Sequence, residues 1–348
     1  MNFSSTLINW YSKHKRELPW RNTKDPYFIW LSEIILQQTQ VNQGLPYYEA
    51  FVNQYPSIFE LAKADEQDIL KLWQGLGYYS RARNLLVTAQ TIVEEFNGEF
   101  PRSYDGLIKL KGVGDYTASA IVSICYNQPT AVVDGNVYRV LSRYFGIKTP
   151  INSTKGIKDF KALASQLIAQ NKPGYYNQSI MEFGARQCKP KNPNCNSCPL
   201  NSSCTSLKNN WIDILPIKQK NTKITKKYFN FLVFMSSDKK TILKKRVEKG
   251  IWKNMYQFPL IETKKTLDIE HFKEHPEVKS ILKDAKFEFS LYNSNDIVHK
   301  LSHQHLYTKF WIIEVKTLPE KGFLISEIQK FPTPILVSNF INEFHFPL

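Results

Sequence analysis

The sequence has no long apolar run. No window approaches the roughly 20 apolar residues of a membrane span, and Met1 to Trp20 mixes Asn, Ser, Lys, His and Glu without the apolar stretch of a secretory leader. These absences predict a soluble intracellular protein. Cysteine is scarce, with five residues, four of them inside seventeen positions. A secreted disulfide framework spread along the chain is excluded. The fifth, Cys125 in AIVSIC, reads as a buried small hydrophobe. Acids are short as well: 31 Asp and Glu face 46 Lys and Arg, a net charge of +15. That excess favours a polyanionic partner, nucleic acid before membrane, although a lysine-rich solvated surface has the same balance.

What is present supports globular folding. Hydrophobic residues make up 42% of 348 positions, enough for real cores in one to three domains. No internal repeat stands out. The first two hundred residues read as helices. SSTLINWYSKHKR sets Leu7, Trp10, Tyr11 and His14 on one face. DPYFIWLSEIILQQTQV starts with Asp25 as N-cap and Pro26 at the first helical position. DEQDILKLWQGLGYYSRARNLLVTAQTIVEEF reads as two helices broken at Gly75–Leu76–Gly77. DGNVYRVLSRYF is another helix, capped by Asp134. After Cys204 comes a basic stretch with Lys208, Lys218, Lys220, Lys223, Lys226 and Lys227 against one acid, Asp213, which reads as a linker. Strand-like runs follow, YFNFLVFMSS, KTILKKRV, KFEFSLYN and HQHLYTKFWIIEV, rich in β-branched and aromatic residues. FPTPILVSNFINEF closes the chain as a helix. The expected organisation is a helical domain over residues 1–205, a linker over 206–227 and a smaller α/β domain over 228–348.

KGVGDYTASA, residues 111–120, poses the first functional question. Helix, Lys111–Gly112–Val113–Gly114, helix is a hairpin in which glycines allow close backbone approach. The following helix offers free N–H groups that suit a phosphate. Such a turn grips a backbone without reading a base; an ordinary αα-hairpin has the same outline. Asp134, in VVDGNVYRV, follows twenty residues after Gly114. Cys188, Cys195, Cys198 and Cys204 follow the spacing C-x6-C-x2-C-x5-C. Four thiolates in a short loop bind zinc or a [4Fe-4S] cluster.

Taken together, the hairpin, the Asp and this cysteine spacing resemble the helix-hairpin-helix DNA glycosylases of the endonuclease III class. WLSEIILQQTQV, LPWR and GLGYYSRARNL narrow the resemblance to adenine DNA glycosylases of the MutY type. It covers nearly all of residues 1–205. It implies a mainly α fold with a [4Fe-4S] cluster loop over 188–204, Lys189 and Lys191 inside that loop forming a basic lobe on DNA. It implies base excision repair on double-stranded DNA by a cytoplasmic, nucleoid-associated bacterial monomer with no membrane contact. Its substrate is adenine opposite 8-oxoguanine or guanine.

The resemblance also assigns roles. Glu33 delivers a proton to N7 of adenine and later handles the water; its apolar helix supplies a raised pKa. Asp134 stabilises the oxocarbenium-like sugar, and Asn136 is a polar transition-state contact. Two carboxylates across a glycosidic bond follow the logic of retaining glycosidases. Tyr116 stands where lyase relatives carry the Lys that forms a Schiff base, so strand cleavage is expected to be weak or absent. Asp115 departs from the basic or neutral residue expected there and weakens a phosphate contact. Tyr78 wedges beside the lesion strand, a core position beside Tyr79 being the competing reading. Gln38 fills the space of the extruded base, and Gln37 beside it binds DNA. Gln178 contacts adenine, and Arg21 and Leu36 line the pocket or pack helices.

GIWKNMYQFPLIE, residues 250–262, resembles the Nudix-like C-terminal domain of the same family. No glutamate-rich Nudix helix follows it, so the domain is expected to recognise 8-oxoguanine rather than hydrolyse. Leu301–Ser302–His303 matches the recognition loop, with Ser302 on the purine edge, His303 on phosphate or base, and Leu301 in place of the usual aromatic. Two rival readings are a bifunctional glycosylase/lyase for oxidised pyrimidines and a non-catalytic DNA-binding redox sensor.

Overall fold

The computed structural model describes residues 2–219, 224–282 and 287–346. Lys220 and Lys223 of the basic run lie outside the described residues. The chain divides into two compact units, one of Met1–Ala64 with Asn84–Lys220, the other of Asp65–Arg83 with Asn221–Leu348.

The first unit is helical. Helices Phe3–His14, Gly135–Phe145, Thr154–Leu167 and Pro173–Arg186 converge on a core holding Leu7, Val137, Leu141, Phe160, Ile180 and Phe183. Each such side chain contributes about 2 kcal/mol by leaving water. The helix Pro26–Leu36 begins where the sequence sets it, with the Asp25 carboxylate accepting from Tyr27 N at 2.9 Å. Eight of its eleven residues are buried, Glu33 among them. It stops at Leu36, because Gln38 takes a left-handed φ of 57°; the QQTQ stretch is a turn leading to the helix Val41–Gln54. The hairpin is built from a short helix, Tyr104–Leu107, and the helix Asp115–Cys125. Gly112 has φ +78° and a Cβ there would lie 2.9 Å from Asn84 Cβ, so the turn needs glycine at this position. Residues read as the start of a linker are hydrogen-bonded to this unit: Ile151 N donates to Ile217 O at 3.0 Å and Gln219 N to Asn152 Oδ1 at 2.9 Å.

The second unit centres on a mixed sheet. Strand Thr225–Ser236 runs parallel to Gln304–Val315 and antiparallel to Leu260–Thr263. Gln304–Val315 is flanked on its other edge by Phe287–Leu291 and Ile297–Lys300, both antiparallel. One face packs Leu232, Phe234, Trp311 and Ile313 against Phe272, Val278 and Leu282 of two short helices. The segment 65–83 belongs here. Its helix Glu66–Leu72 ends before the Gly75 and Gly77 break, where φ is 96° and 75°. Gln74 Nε2 donates to Ser338 Oγ at 2.8 Å, Thr333 N to Gln74 Oε1 at 3.0 Å, and Arg83 to Lys253 O at 3.0 Å.

Candidate active site and DNA-contacting elements

A cavity of about 700 Å³ opens in the helical unit. Glu33, Asp134, Tyr116 and Asn136 all line it, with Arg21, Leu36, Gln37, Gln38, Gly114 and Gln178. Ten residues singled out between Arg21 and Gln178 in the sequence thus meet around one space. The volume suits a purine nucleoside with room for water.

Burial pushes the Glu33 carboxyl up to about 7, assisted by the nearby Asp134 charge. A hydrogen bond from Tyr116 and the Arg21 charge act in the opposite direction. Tyr116 is itself raised well above the usual phenol range by burial and by the two carboxylates, so it stays neutral. Its hydroxyl also points at Met181 Sδ, 3.1 Å away. One proton therefore has two directions to serve. Toward an ionised Glu33 the phenol donates; toward a protonated Glu33 it accepts, and its own hydrogen turns to sulfur.

Asp134 caps the helix Gly135–Phe145, accepting from Asn136 N at 2.9 Å and Val137 N at 2.8 Å. Asn136 Nδ2 donates to its second oxygen at 2.8 Å. Burial pushes Asp134 up, while these donors and Arg139 hold it down. Arg139 fixes the Asn136 amide by donating to Oδ1 at 2.8 Å, and also donates to Gly184 O and Cys188 O, both at 2.7 Å. A hydrogen-bonded path therefore runs from the first cysteine of the loop to Asp134.

Sequence reasoning missed Glu182. It is 1% exposed, lines the cavity and binds Arg16 in two prongs, at 2.8 and 2.7 Å, and Arg21 at 2.7 Å. Burial alone would raise it; the two guanidinium groups overcome that and hold it near 2. The signal in MEFGAR was one acid among apolar neighbours, readable only once Arg16 and Arg21 arrive from the other end of the chain. Tyr11 was read as part of a core face, yet its hydroxyl donates to Gln178 Oε1 at 3.0 Å. That leaves the Gln178 amino group as the free donor toward the cavity. Asp115 is neutralised locally: Lys161 lies 2.9 Å from Oδ1, and the Tyr104 hydroxyl donates to it at 2.9 Å. Val113 is buried, and no atom lies within 4 Å of a Cβ built on Gly114.

The four cysteines are free thiols in the loop after helix Pro173–Arg186. Cys188 and Cys198 pack on the helical core. Burial raises Cys198 to about 11, and the charges of Cys188, Cys204 and Cys195 all reach it. Arg143 donates to Lys189 O at 2.7 Å and approaches Cys188 Sγ at 3.5 Å. Among the described residues no three His, Cys, Asp or Glu side chains are drawn together tightly enough for a single metal ion. Four thiols within seventeen residues are the donor set that an iron–sulfur cluster takes.

In the second unit Tyr78 is half exposed, with a left-handed φ of 49°, while Tyr79 is buried. The Tyr78 hydroxyl is 2.7 Å from Ser302 Oγ. His303 lies beside Gln304, its Nε2 3.2 Å from the amide nitrogen.

Residues 31–165 match the HhH-GPD superfamily of base excision DNA repair proteins, and residues 230–343 match the NUDIX domain. An adenine DNA glycosylase of Buchnera aphidicola subsp. Schizaphis graminum is 40% identical over 287 residues, 80% of this chain and 82% of that protein. The chain belongs to the adenine DNA glycosylase family. A second family member, from Buchnera aphidicola subsp. Baizongia pistaciae, is 38% identical over 89% of this chain and 86% of its own. The human adenine DNA glycosylase is 43% identical over 58% of this chain, which spans 39% of the human protein. Among solved structures, a thermostable thymine-DNA glycosylase aligns at TM-score 0.55 and 30% identity, over 60% of this chain and 95% of that one. A trapped endonuclease III–DNA intermediate aligns at TM-score 0.52 and 22% identity over 60% and 94%, which speaks to fold. The architecture of this chain is thus a helix-hairpin-helix domain followed by a Nudix-like one. Among the described residues no helix is long and apolar enough to cross a membrane.

Proposed function

We propose that this chain, as a monomer on duplex DNA, releases adenine paired with 8-oxoguanine, and less readily with guanine, by hydrolysing the N-glycosidic bond. The observation that carries this reading is one cavity lined by both Glu33 and Asp134, with burial holding Glu33 near 7. The residues of 1–205 supply the chemistry and those of 228–348 read the opposite base.

Adenine leaves the stack, which costs a few kcal/mol and least at a mispair, and enters the cavity. The Gln178 amide and the Glu182 carboxylate offer a donor and an acceptor to its edge. Protonated Glu33 gives its proton to N7. The C1′–N9 bond then breaks, its electron pair leaving with adenine. The Asp134 carboxylate, aimed by Asn136, faces the cationic sugar and bonds transiently to C1′. Ionised Glu33, now accepting from Tyr116, takes a proton from water, which attacks C1′ and frees Asp134. Tyr116 has no amine, so no imine forms and the backbone is not cut. Arg21 and Leu36 shape the pocket, Gly112, Val113 and Gly114 hold a phosphate, and Gln37 and Gln38 fill the gap in the stack. Cys188, Cys195, Cys198 and Cys204 would hold a [4Fe-4S] cluster, which would give shape to the loop carrying Lys189 and Lys191. Ser302 reads the 8-oxoguanine edge and His303 its phosphate. The hydrogen bond between Tyr78 and Ser302 supports a wedge and a reader that act as one unit.

Duplexes holding adenine opposite 8-oxoguanine, guanine or thymine, scored for abasic sites, test the reading. Release is expected in that order, nearly absent for thymine. Equal release from the thymine pair would overturn the specificity, and no release from any duplex would overturn the activity.

A further inference from the structure

The open end of the C-terminal sheet carries a row of basic side chains. Register sets Lys226, His305 and Lys300 directly across from one another on three adjacent strands, and residues so paired share a face. The next row on that face is Tyr228, Tyr307 and Val298. The two tyrosine rings stack at 5.1 Å, and the Lys226 ammonium lies 5.7 Å from the Tyr307 ring. Lys226 and Lys300 are exposed, and Val298 is 42% exposed.

Lys226 and Lys300 carry like charge on one row and repel, whereas the next lysine in sequence is neutralised. Lys227, on the other face of the same strand, meets Glu262 at 3.0 Å, and Arg246 approaches the same carboxylate at 3.6 Å. Among the described residues no ion pair forms at Lys226, His305 or Lys300. Asp296, just before the strand Ile297–Lys300, accepts from the Thr266 hydroxyl at 2.8 Å. Strands about 4.8 Å apart make the row about 10 Å wide, with tyrosine hydroxyls behind it as further donors. Lys300 and His305 also flank the turn that carries Ser302, closed by Leu301 N donating to Gln304 O at 2.8 Å.

We infer that this face anchors the phosphate backbone of the strand whose damaged base Ser302 reads, gripping the nucleotides next to the lesion. The inference rests on the lesion-reading role proposed for that turn. The full-length, cluster-replete double variant Lys226→Ala/Lys300→Ala tests it by fluorescence anisotropy with an undamaged and an 8-oxoguanine duplex across a salt series. Affinity for both duplexes is expected to fall by a similar factor, about tenfold, with the log–log salt slope shallower by about two. Lys227→Ala is expected to behave as the unsubstituted protein. Unchanged affinity and slope in the double variant would overturn the inference and leave the face to an acidic protein. An equal loss in Lys227→Ala would overturn it too, by showing diffuse charge rather than a face. Failure of the proposed activity would appear elsewhere, as no adenine release by the unsubstituted protein.

Discussion

Glu33 and Glu182 line the same cavity and are driven in opposite directions, one up to about 7, the other down to about 2. Burial acts on both; only Glu182 has two guanidinium partners. The consequences for pH differ in sign. In the proposed mechanism the reactive form of Glu33 is protonated, so kcat/KM is expected to fall as pH rises through about 7, about tenfold per unit thereafter. The folded state also holds the Glu33 proton more tightly than the unfolded chain, so stability falls as pH climbs from 4.5 toward 7. Glu33→Gln is expected to cut adenine release at least about 10²-fold and to raise stability at pH 8 by up to about 3 kcal/mol. Denaturant titrations at pH 5 and 8 read the second effect, and no gain at pH 8 would count against a buried, proton-holding Glu33. For Glu182 the contribution is present above 4.5 and lost as pH falls toward 2. Glu182→Gln is expected to destabilise the neutral-pH protein by about 3 kcal/mol, because Arg16 and Arg21 lose their counter-charge.

The helix Gly135–Phe145 joins two sites through one side chain. Arg139 holds the Cys188 carbonyl and the Asn136 amide together, so Arg139→Gln is expected to lower single-turnover release while duplex affinity changes little. Equal release by that variant would mean Asp134 is set by its backbone donors alone. In the hairpin, Gly112→Ala is expected to destabilise by at least about 1 kcal/mol from its positive φ, more if Asn84 cannot move, with weaker DNA binding in anisotropy. Elements of this kind were readable because their signals are local. Asp25–Pro26 starts a helix, Asp134 caps one, and glycines at 75 and 77 break one. Strand Ile297–Lys300 and the helices Ile269–Phe272 and Pro276–Leu282 were not expected. Each is short, and their order comes from packing on a sheet edge or face rather than from a repeating pattern. The cavity was legible as separate residues, whereas Arg16–Glu182–Arg21 needed the two ends of the helical unit to meet.

At the scale of the whole molecule, the division of the chain does not follow its linear order. Residues 65–83 read as part of a continuous helical region, yet pack with residues 221–348. Their hydrogen bonds to Lys253, Thr333 and Ser338 lie more than 150 positions downstream. Native-state hydrogen exchange is expected to show amides of 66–72 losing protection together with those of strands 225–236 and 304–315. Loss in step with helix 173–186 instead would assign the segment to the other unit. Tyr78, the proposed wedge, then belongs mechanically to the unit that carries Ser302, so substitutions there are expected to change recognition without touching the cavity.

That insertion also shapes how the protein is made. When residues 65–83 leave the ribosome, all of 84–220 must still be translated before their packing partners begin to emerge. At ordinary elongation rates the wait is on the order of ten seconds. During it, the hydrogen-bonding groups of Gln74 and Arg83 stand without their downstream partners, an interval in which a holdase chaperone has a defined segment to bind.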